Sequence, residues 1–280
     1  MTAAVTVRGL VADAAARLAA AGVASPRVDA EVLVAHVLGV PRGRLLLADP
    51  LDADMARAID ALVARRAARE PLQHLLGTAV LGPVEVAVGP GVFVPRPETE
   101  TLLVRALDLV RSHAAPVVVD LCTGTGALAL ALAHERPDAV VHAVEVDPAA
   151  LPWTRRNLTG SRVVLHEADV TAPGVLADLT GAVDLVTCNP PYVPEDAPVP
   201  PEVRADPHGA VFAGADGLAV VRPVAGLARR LLRAGGAVAV EHDDSHPGAV
   251  RDVLAAAGFV DVATHADLTG RPRVATARRT

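Results

Sequence analysis

Asn189-Pro190-Pro191-Tyr192 directly follows the apolar run Val183-Asp184-Leu185-Val186-Thr187-Cys188, and Tyr192 is the one tyrosine of a 280-residue chain with 2% aromatic residues. Asn189 brings a side-chain carbonyl oxygen, and Pro190 adds a backbone carbonyl. Pro191 has no N–H, fixes its own φ and biases Pro190 toward extended backbone, so the run reads as a stiff rim at a strand end. Two acceptors held in this way suit a planar NH2 group, each taking one hydrogen, with the nitrogen facing outward and Tyr192 packed against the plane. Such a holder serves reaction at an amide or exocyclic amine nitrogen. The same four residues also read as a Pro-rich turn that closes a core edge.

A second cluster lies upstream. Asp120-Leu121-Cys122-Thr123-Gly124-Thr125-Gly126 follows one apolar run and opens a helical one. Its glycines permit a tight turn and close backbone approach, so an adenosyl or dinucleotide cofactor can lie against the helix N-terminus. About twenty residues on comes Glu145-Val146-Asp147, where an acid commonly accepts the hydroxyls of a cofactor ribose. Glu145 continues directly from a strand and fits that task, whereas Asp147 before Pro148 reads as a helix cap. Glu167-Ala168-Asp169 offers Asp169 to an adenine amino group, or as a loop cap. Gly124, Gly126 and Ala129 also satisfy a nicotinamide-dinucleotide pattern, so the loop alone leaves a hydride-transferring oxidoreductase open. The amine holder at residues 189–192 suits methyl transfer to nitrogen and has no obvious role in hydride transfer.

The elements that must position these residues are legible in outline. The pattern predicts helices over Arg8–Ala21, from Ser25-Pro26 to Gly39, and over Asp52–Arg69. Alternation at Val84, Val86 and Val88, with Gly82-Pro83 and Gly89-Pro90-Gly91, predicts a hairpin linker within Thr78–Pro95. A helix is expected over Glu98–Arg111. Strands are then expected at Pro116–Leu121, Ala139–Val144, Arg162–His166, Val183–Cys188, Gly236–Glu241, Phe259–Thr264 and Pro272–Ala277. Helices fit between them at Ala127–Glu135, Pro148–Asn157, Leu218–Leu232 and Gly248–Ala257. Such alternation implies an α/β, doubly wound sheet covered on both faces, with ligands at the strands' carboxyl ends. The expected division is a helical domain at 1–77, the hairpin linker at 78–97 and the α/β domain at 98–280.

Composition narrows the classes. The chain is 51% hydrophobic and 21% charged, with a net charge of −6 and no lysine among its 26 basic residues. An acidic balance argues against an extended phosphate-backbone interface, and Arg65, Arg66 and Arg69 read as a solvated helix face or a local arginine patch. No stretch reads as a membrane span or signal peptide, so a cytoplasmic protein is expected. Cys122 and Cys188 read as small core hydrophobes in a reducing compartment. His242 and His246 lie in a strand end running into a loop, and no metal site is expected there. Trp153 is expected to pack, and Arg96 and Glu98 either to line a substrate mouth or to bridge linker and helix.

Together these motifs resemble class I S-adenosylmethionine-dependent methyltransferases, and most closely the protein-(glutamine-N5) methyltransferase family known as PrmC or HemK. The resemblance runs through Arg27-Val28-Asp29-Ala30-Glu31, Arg69 to Gly77, Arg96-Pro97-Glu98-Thr99-Glu100, the glycine loop, Asn189 to Tyr192, Ala213 to Leu218, Glu241-His242 and Arg271 to Arg278. It implies a mostly parallel sheet with an antiparallel last strand and a small N-terminal helical domain that docks the substrate. It implies S-adenosyl-L-methionine held by Asp120, Cys122, Thr123, Gly124, Thr125, Gly126, Glu145, Asp169, Val170 and Asn189. Cys122 stands where glycine is frequent, Glu145 where aspartate is, and Val170 where an aromatic often packs on adenine. Asn189, Pro190, Pro191 and Tyr192 would form the glutamine pocket, with Asn189, Pro190 and Tyr192 as the catalytic set. The implied partners are class-I peptide chain release factors, methylated at the glutamine of Gly-Gly-Gln, with no direct nucleic-acid binding. An adenine-N6 nucleic-acid methyltransferase, a glutamine methyltransferase for another protein, and a non-catalytic binding module are the competing readings.

Overall fold

The computed structural model describes residues 6–48 and 52–280. They fall into two compact units, one made of residues up to Gly77 together with Pro200–Ala205, the other of Thr78–Val199 and Asp206–Thr280.

The first unit holds α1 (Val7–Ala20), α2 (Pro26–Leu38), α3 (Ala53–Ala67) and the short α4 (Leu72–Leu76). Each long helix starts on a local signal: the Thr6 hydroxyl accepts from Gly9 N–H, Pro26 occupies the first turn, and Asp52 accepts from Met55 N–H at 2.8 Å. Gly39 ends α2 in the left-handed conformation. Leu18, Leu33, Val34, Ile59, Val63 and Leu75 form the core. The solvated arginine face expected at the end of α3 holds at the exposed Arg65 and is corrected at Arg66. Arg66 is buried, bonding Asp29 at 2.8 Å and Glu202 at 2.9 Å, while Arg65 pairs with Glu70 and Arg69 with Glu202. Burial works to raise the Glu202 pKa, but hydrogen bonds from Arg69 and Arg66 hold it down at about 2. These arginines are spent on carboxylates within the unit rather than offered to a phosphate. Helical periodicity could not show this, because Glu202 arrives from 133 residues beyond Arg69.

The second unit opens with the hairpin of β1 (Thr78–Leu81) and β2 (Val84–Ala87), and α5 (Thr99–Leu109) follows. Next come β3 (Val117–Leu121), α6 (Ala127–Glu135), β4 (Val140–Glu145), α7 (Leu151–Leu158), β5 (Val164–Glu167) and β6 (Val183–Cys188). The short α8 (His208–Val211), α9 (Val221–Leu231), β7 (Leu232–Glu241), α10 (Pro247–Ala256), β8 (Phe259–Ala266) and β9 (Pro272–Arg279) complete it. Seven strands form one sheet in the order β5-β4-β3-β6-β7-β9-β8. All neighbours are parallel except at β9, which runs antiparallel between β7 and β8. This is the doubly wound sheet with an antiparallel last strand that the motifs imply.

Alternation along the strands fills both faces. Val118, Val141, Leu185 and Ala237 pack against α5, α6 and the hairpin residues Ala79, Leu81 and Val86. Their neighbours Val119, Val144, Val186 and Val238 turn to the opposite face, under Val221, Val224, Ala228 and Leu231 of α9 and Val250 and Leu254 of α10. The hairpin thus contributes side chains to this unit's core. Boundaries move by a few residues where local hydrogen bonds intervene. Leu218 N–H is held by the Asp216 carboxylate, so α9 begins at Val221 rather than Leu218. Asp147 takes Ala149 N–H at 2.8 Å and delays α7 to Leu151. Strand β7 starts at Leu232 instead of Gly236, its irregular pairing with β6 absorbing the turn at Gly235.

Candidate active site

The two motif clusters stand side by side at the carboxyl ends of the central strands. Pairing of Leu121 with both Val144 and Cys188 sets the glycine loop between the end of β4, where Glu145 lies, and the end of β6, where Asn189 follows. The crossover from β3 to β4 on one side and to β6 on the other makes this the switch point of the sheet.

The loop is built before any ligand arrives. Cys122, Gly124 and Gly126 all have positive φ, at 58°, 56° and 81°. The left-handed backbone at Cys122 explains why glycine suits that position. A β-carbon on Gly126 would stand 3.1 Å from Leu158, whereas one on Gly124 would meet nothing within 4 Å. Gly126 therefore serves packing, and Gly124 keeps an open approach to the backbone. From below, the Thr154 hydroxyl donates to Gly124 C=O at 2.6 Å, and the Asn157 amide donates to Thr125 C=O at 2.9 Å and to Ala87 C=O at 3.0 Å. Thr154 and Asp120 are buried, as are Thr123 and Thr125 of the loop. Thr154 and Asn157 carry no motif of their own, and only their helical placement opposite the loop reveals them. Trp153, next to them, donates to Pro90 C=O at 3.3 Å and packs on Gly89, a structural contact.

Asp120 lies beneath the loop. Its two oxygens accept from Thr123 Oγ1 at 2.6 Å and Thr187 Oγ1 at 2.8 Å. Burial is the main cause that lifts its pKa to about 7, with the nearby Glu145 adding to the rise against those hydroxyls. Both of its oxygens brace the loop from beneath through Thr123 and Thr187. Glu145 is the acid that faces the loop itself, with Oε2 accepting from Gly124 N–H at 2.7 Å and Oε1 from the N–H groups of Val146 and Asp147 at 2.9 and 2.8 Å. It ties the strand end to the glycine turn and still has acceptor capacity. Asp169 is exposed, and its Oδ1 caps a turn through the N–H and hydroxyl of Thr171, both at 2.7 Å. Val170 is buried with Leu121, Val144 and Cys188, so its side chain serves the core.

On the other side of the loop, Pro190 and Pro191 are buried, and Tyr192 and Val193 N–H both bond Val211 C=O, at 3.2 and 2.9 Å. Asn189 donates through Nδ2 to Thr99 Oγ1 at 3.1 Å. Tyr192 directs its hydroxyl inward to Glu241 Oε1 at 3.1 Å, and burial together with that carboxylate pushes the phenol well above its ordinary pKa. The run is a rim with its tyrosine anchored at the hydroxyl, which leaves the ring as the part available for packing. Arg96 pairs with the buried Asp206, which also accepts Val94 N–H at 3.1 Å, so Arg96 serves as a structural bridge rather than a free mouth residue. No local signal singles out Thr99 or Glu241. Thr99 sits within Arg96-Pro97-Glu98-Thr99-Glu100 and Glu241 within Glu241-His242, but only the fold brings them to Asn189 and Tyr192.

Comparison with known proteins identifies the family and the fold. The PrmC N-terminal domain model matches residues 10–77, and the methyltransferase small domain model matches residues 84–200. Among solved structures, a 16S rRNA N2 G1207 methyltransferase of T. thermophilus shares the fold, with a TM-score of 0.53 and 21% identity over 72% of this chain and 50% of that one. A release factor glutamine methyltransferase of Streptomyces coelicolor is 52% identical, covering 96% of each chain. One from Deinococcus radiodurans is 44% identical over 98% of each. With a Mycolicibacterium smegmatis relative of the same name 56% identical over 98% of both chains, the protein belongs to the release factor glutamine methyltransferase family.

Proposed function

We propose that this protein transfers the methyl group of S-adenosyl-L-methionine to the side-chain amide nitrogen of the glutamine in the Gly-Gly-Gln motif of class-I peptide chain release factors. Alongside the family relationship, the observation that carries the chemistry is the orientation of Asn189. With Nδ2 donated to Thr99, its Oδ1 is the end left to accept from a substrate NH2. Pro190 C=O supplies the second acceptor on a rim that cannot bend into a helix.

The loop residues fit the cofactor: Gly124 has no neighbour where a side chain would stand, and Glu145 lies at the strand end where ribose hydroxyls are taken. When bound, S-adenosylmethionine supplies an electrophilic methyl on a sulfonium. Backbone and side chains of residues 122–126 would hold it, with Glu145 at the ribose and Asp169 and Val170 at the adenine edge. Asn189 and Pro190 would fix both amide hydrogens, turning the nitrogen lone pair toward the methyl for in-line attack. Accepting those hydrogens raises electron density on a nitrogen otherwise depleted by amide delocalisation. Tyr192 and Pro191 would pack on the amide plane, and the departing proton would leave to solvent or to a carbonyl as the methylated amide forms.

We place the reaction in the cytoplasm, where release factors act. No described helix is long and apolar enough to cross a membrane. The helical unit is the candidate docking surface for the protein partner. A truncation starting at Thr78 should weaken release-factor binding more than cofactor binding, and equal loss of both would leave the unit a supporting role.

The test is incubation with labelled S-adenosylmethionine and a purified class-I release factor, beside a copy with the Gly-Gly-Gln glutamine replaced. Label on that glutamine alone supports the reading. Label on nucleic acid or on another protein, with none on that glutamine, would discard the substrate while keeping the methyltransferase.

A further inference from the structure

Two side chains from distant parts of the chain, Thr99 and Glu241, lie behind Asn189. Cys188 of β6 pairs with Val240 of β7, so the next residues, Asn189 and Glu241, emerge side by side from adjacent parallel strands. Thr99, the first residue of α5, accepts from Asn189 Nδ2 through its hydroxyl at 3.1 Å. The same hydroxyl is near enough to Glu241 to help hold its pKa down against burial. Thr99 is 4% exposed and Glu241 0% exposed, so both lie away from bulk water.

The polarity of this chain follows from what each group can do. Glu241 Oε1 already takes the Tyr192 hydroxyl, and Oε2 is buried with no partner of normal hydrogen-bond geometry. When Glu241 is ionised, a buried acceptor in that state is costly, so the single hydroxyl hydrogen of Thr99 turns toward the carboxylate. The Thr99 lone pairs then face Asn189, and only the NH2 end of the asparagine can answer them. An asparagine amide is nearly symmetric in shape, and its partners alone decide which end points where. Reversed, Asn189 would present NH2 to the substrate NH2, and the acceptor would be lost.

We infer that Thr99 and Glu241 are positioning residues that set the amide orientation of Asn189, so that its Oδ1 faces the substrate nitrogen. This deepens the proposed transfer to a glutamine amide and rests on it. Neither residue touches the reacting atoms. Glu241 orients the Thr99 hydroxyl, Thr99 orients Asn189, and Glu241 also anchors Tyr192 on the same rim.

The experiment compares wild type, Thr99→Val and Thr99→Ser with the release factor as substrate. It measures kcat, KM for the release factor, cofactor Kd by calorimetry, and Tm. Valine keeps the volume of threonine and removes the hydroxyl, so kcat should fall on the order of 10- to 100-fold, as for a reacting group freed from its aligned geometry. Cofactor Kd and release-factor KM should stay within about threefold of wild type, because Thr99 acts through Asn189 on orientation alone. Serine restores the hydroxyl and should recover most of kcat whatever the fate of the valine variant. Thr99→Val with near-wild-type kcat, a loss confined to cofactor Kd, or Thr99→Ser as impaired as Thr99→Val would each overturn the inference. Wild-type protein that leaves the Gly-Gly-Gln glutamine unmodified would instead fail the proposed function, a result separate from any of these.

Discussion

A β-carbon on Gly217 would stand 2.2 Å from the Tyr192 carbonyl oxygen, and Gly217 has a φ of +69°. The rim at residues 189–192 thus rests on a glycine from the segment before α9 that has neither room for a side chain nor a backbone conformation that tolerates one. Gly217→Ala should cost about 1–3 kcal/mol of backbone strain alone, and relief of the contact must push Tyr192 off its position. The expected result is lower Tm and a larger loss in kcat than in cofactor affinity, read by thermal denaturation, turnover assay and calorimetry on the same preparation.

Asn189→Ala removes one of the two proposed acceptors for the substrate amide. Turnover should fall on the order of 100-fold or more, while much of the cofactor affinity remains. Single-turnover mass spectrometry of the release factor measures the first quantity and calorimetry the second; near-normal methylation would sink the assigned role.

Glu145→Ala releases Gly124 N–H and removes the carboxylate at the end of β4. Loss of charged hydrogen bonds worth about 1.5–3 kcal/mol predicts a Kd for S-adenosylmethionine weakened roughly 10- to 100-fold. Glu145→Gln should fall in between, since it keeps an acceptor without the charge. Unchanged cofactor binding in both variants would remove Glu145 from the cofactor site.

In the helical unit, Arg66 answers both Asp29 and Glu202 from a side chain that is 7% exposed. Arg66→Ala leaves two carboxylates without their shared cation, and breaking a buried pair in this way costs about 3–5 kcal/mol. Urea denaturation followed by circular dichroism should show the midpoint falling well below wild type, and an unchanged midpoint would show that the cluster adds nothing.

Glu241 titrates at about 7 in the folded protein, raised chiefly by burial against an ordinary 4.5. Between those two values the unfolded chain has lost the proton and the folded chain keeps it, so this group's contribution to stability falls as pH rises from about 4.5 to about 7 and is constant above. Glu241→Gln cannot ionise. Its stability relative to wild type should therefore improve on moving from pH 5 to pH 8, which paired denaturation curves at the two pH values would detect. A difference independent of pH would show that Glu241 is not held protonated near neutrality.

Much of the site was legible because its residues are local in sequence. Asn189 to Tyr192 and Asp120 to Gly126 are short runs whose backbone chemistry, proline stiffness and glycine freedom, is intrinsic to the residues themselves. Alternating apolar strands and intervening helices likewise state a doubly wound sheet without reference to any contact. What stayed hidden depends on which strands become neighbours. Thr99 and Asn189 are 90 residues apart, and Tyr192 and Glu241 are 49 apart. Arg66 reads as a surface arginine on its helix until a glutamate from residues 200–205 arrives beside it.

The fold class, the glycine-rich loop and the stiff Asn189–Tyr192 segment can be read from the chain itself, since each follows from periodicity or from conformational limits set by single residue types. Strand pairing was needed to show that Asp120 bonds Thr123 and Thr187, that Glu145 reaches Gly124, and that Asn189 is tied to Thr99 beside a buried Glu241. A side chain's role in a low-dielectric interior is set by its partners, and strand order, not chain order, chooses them.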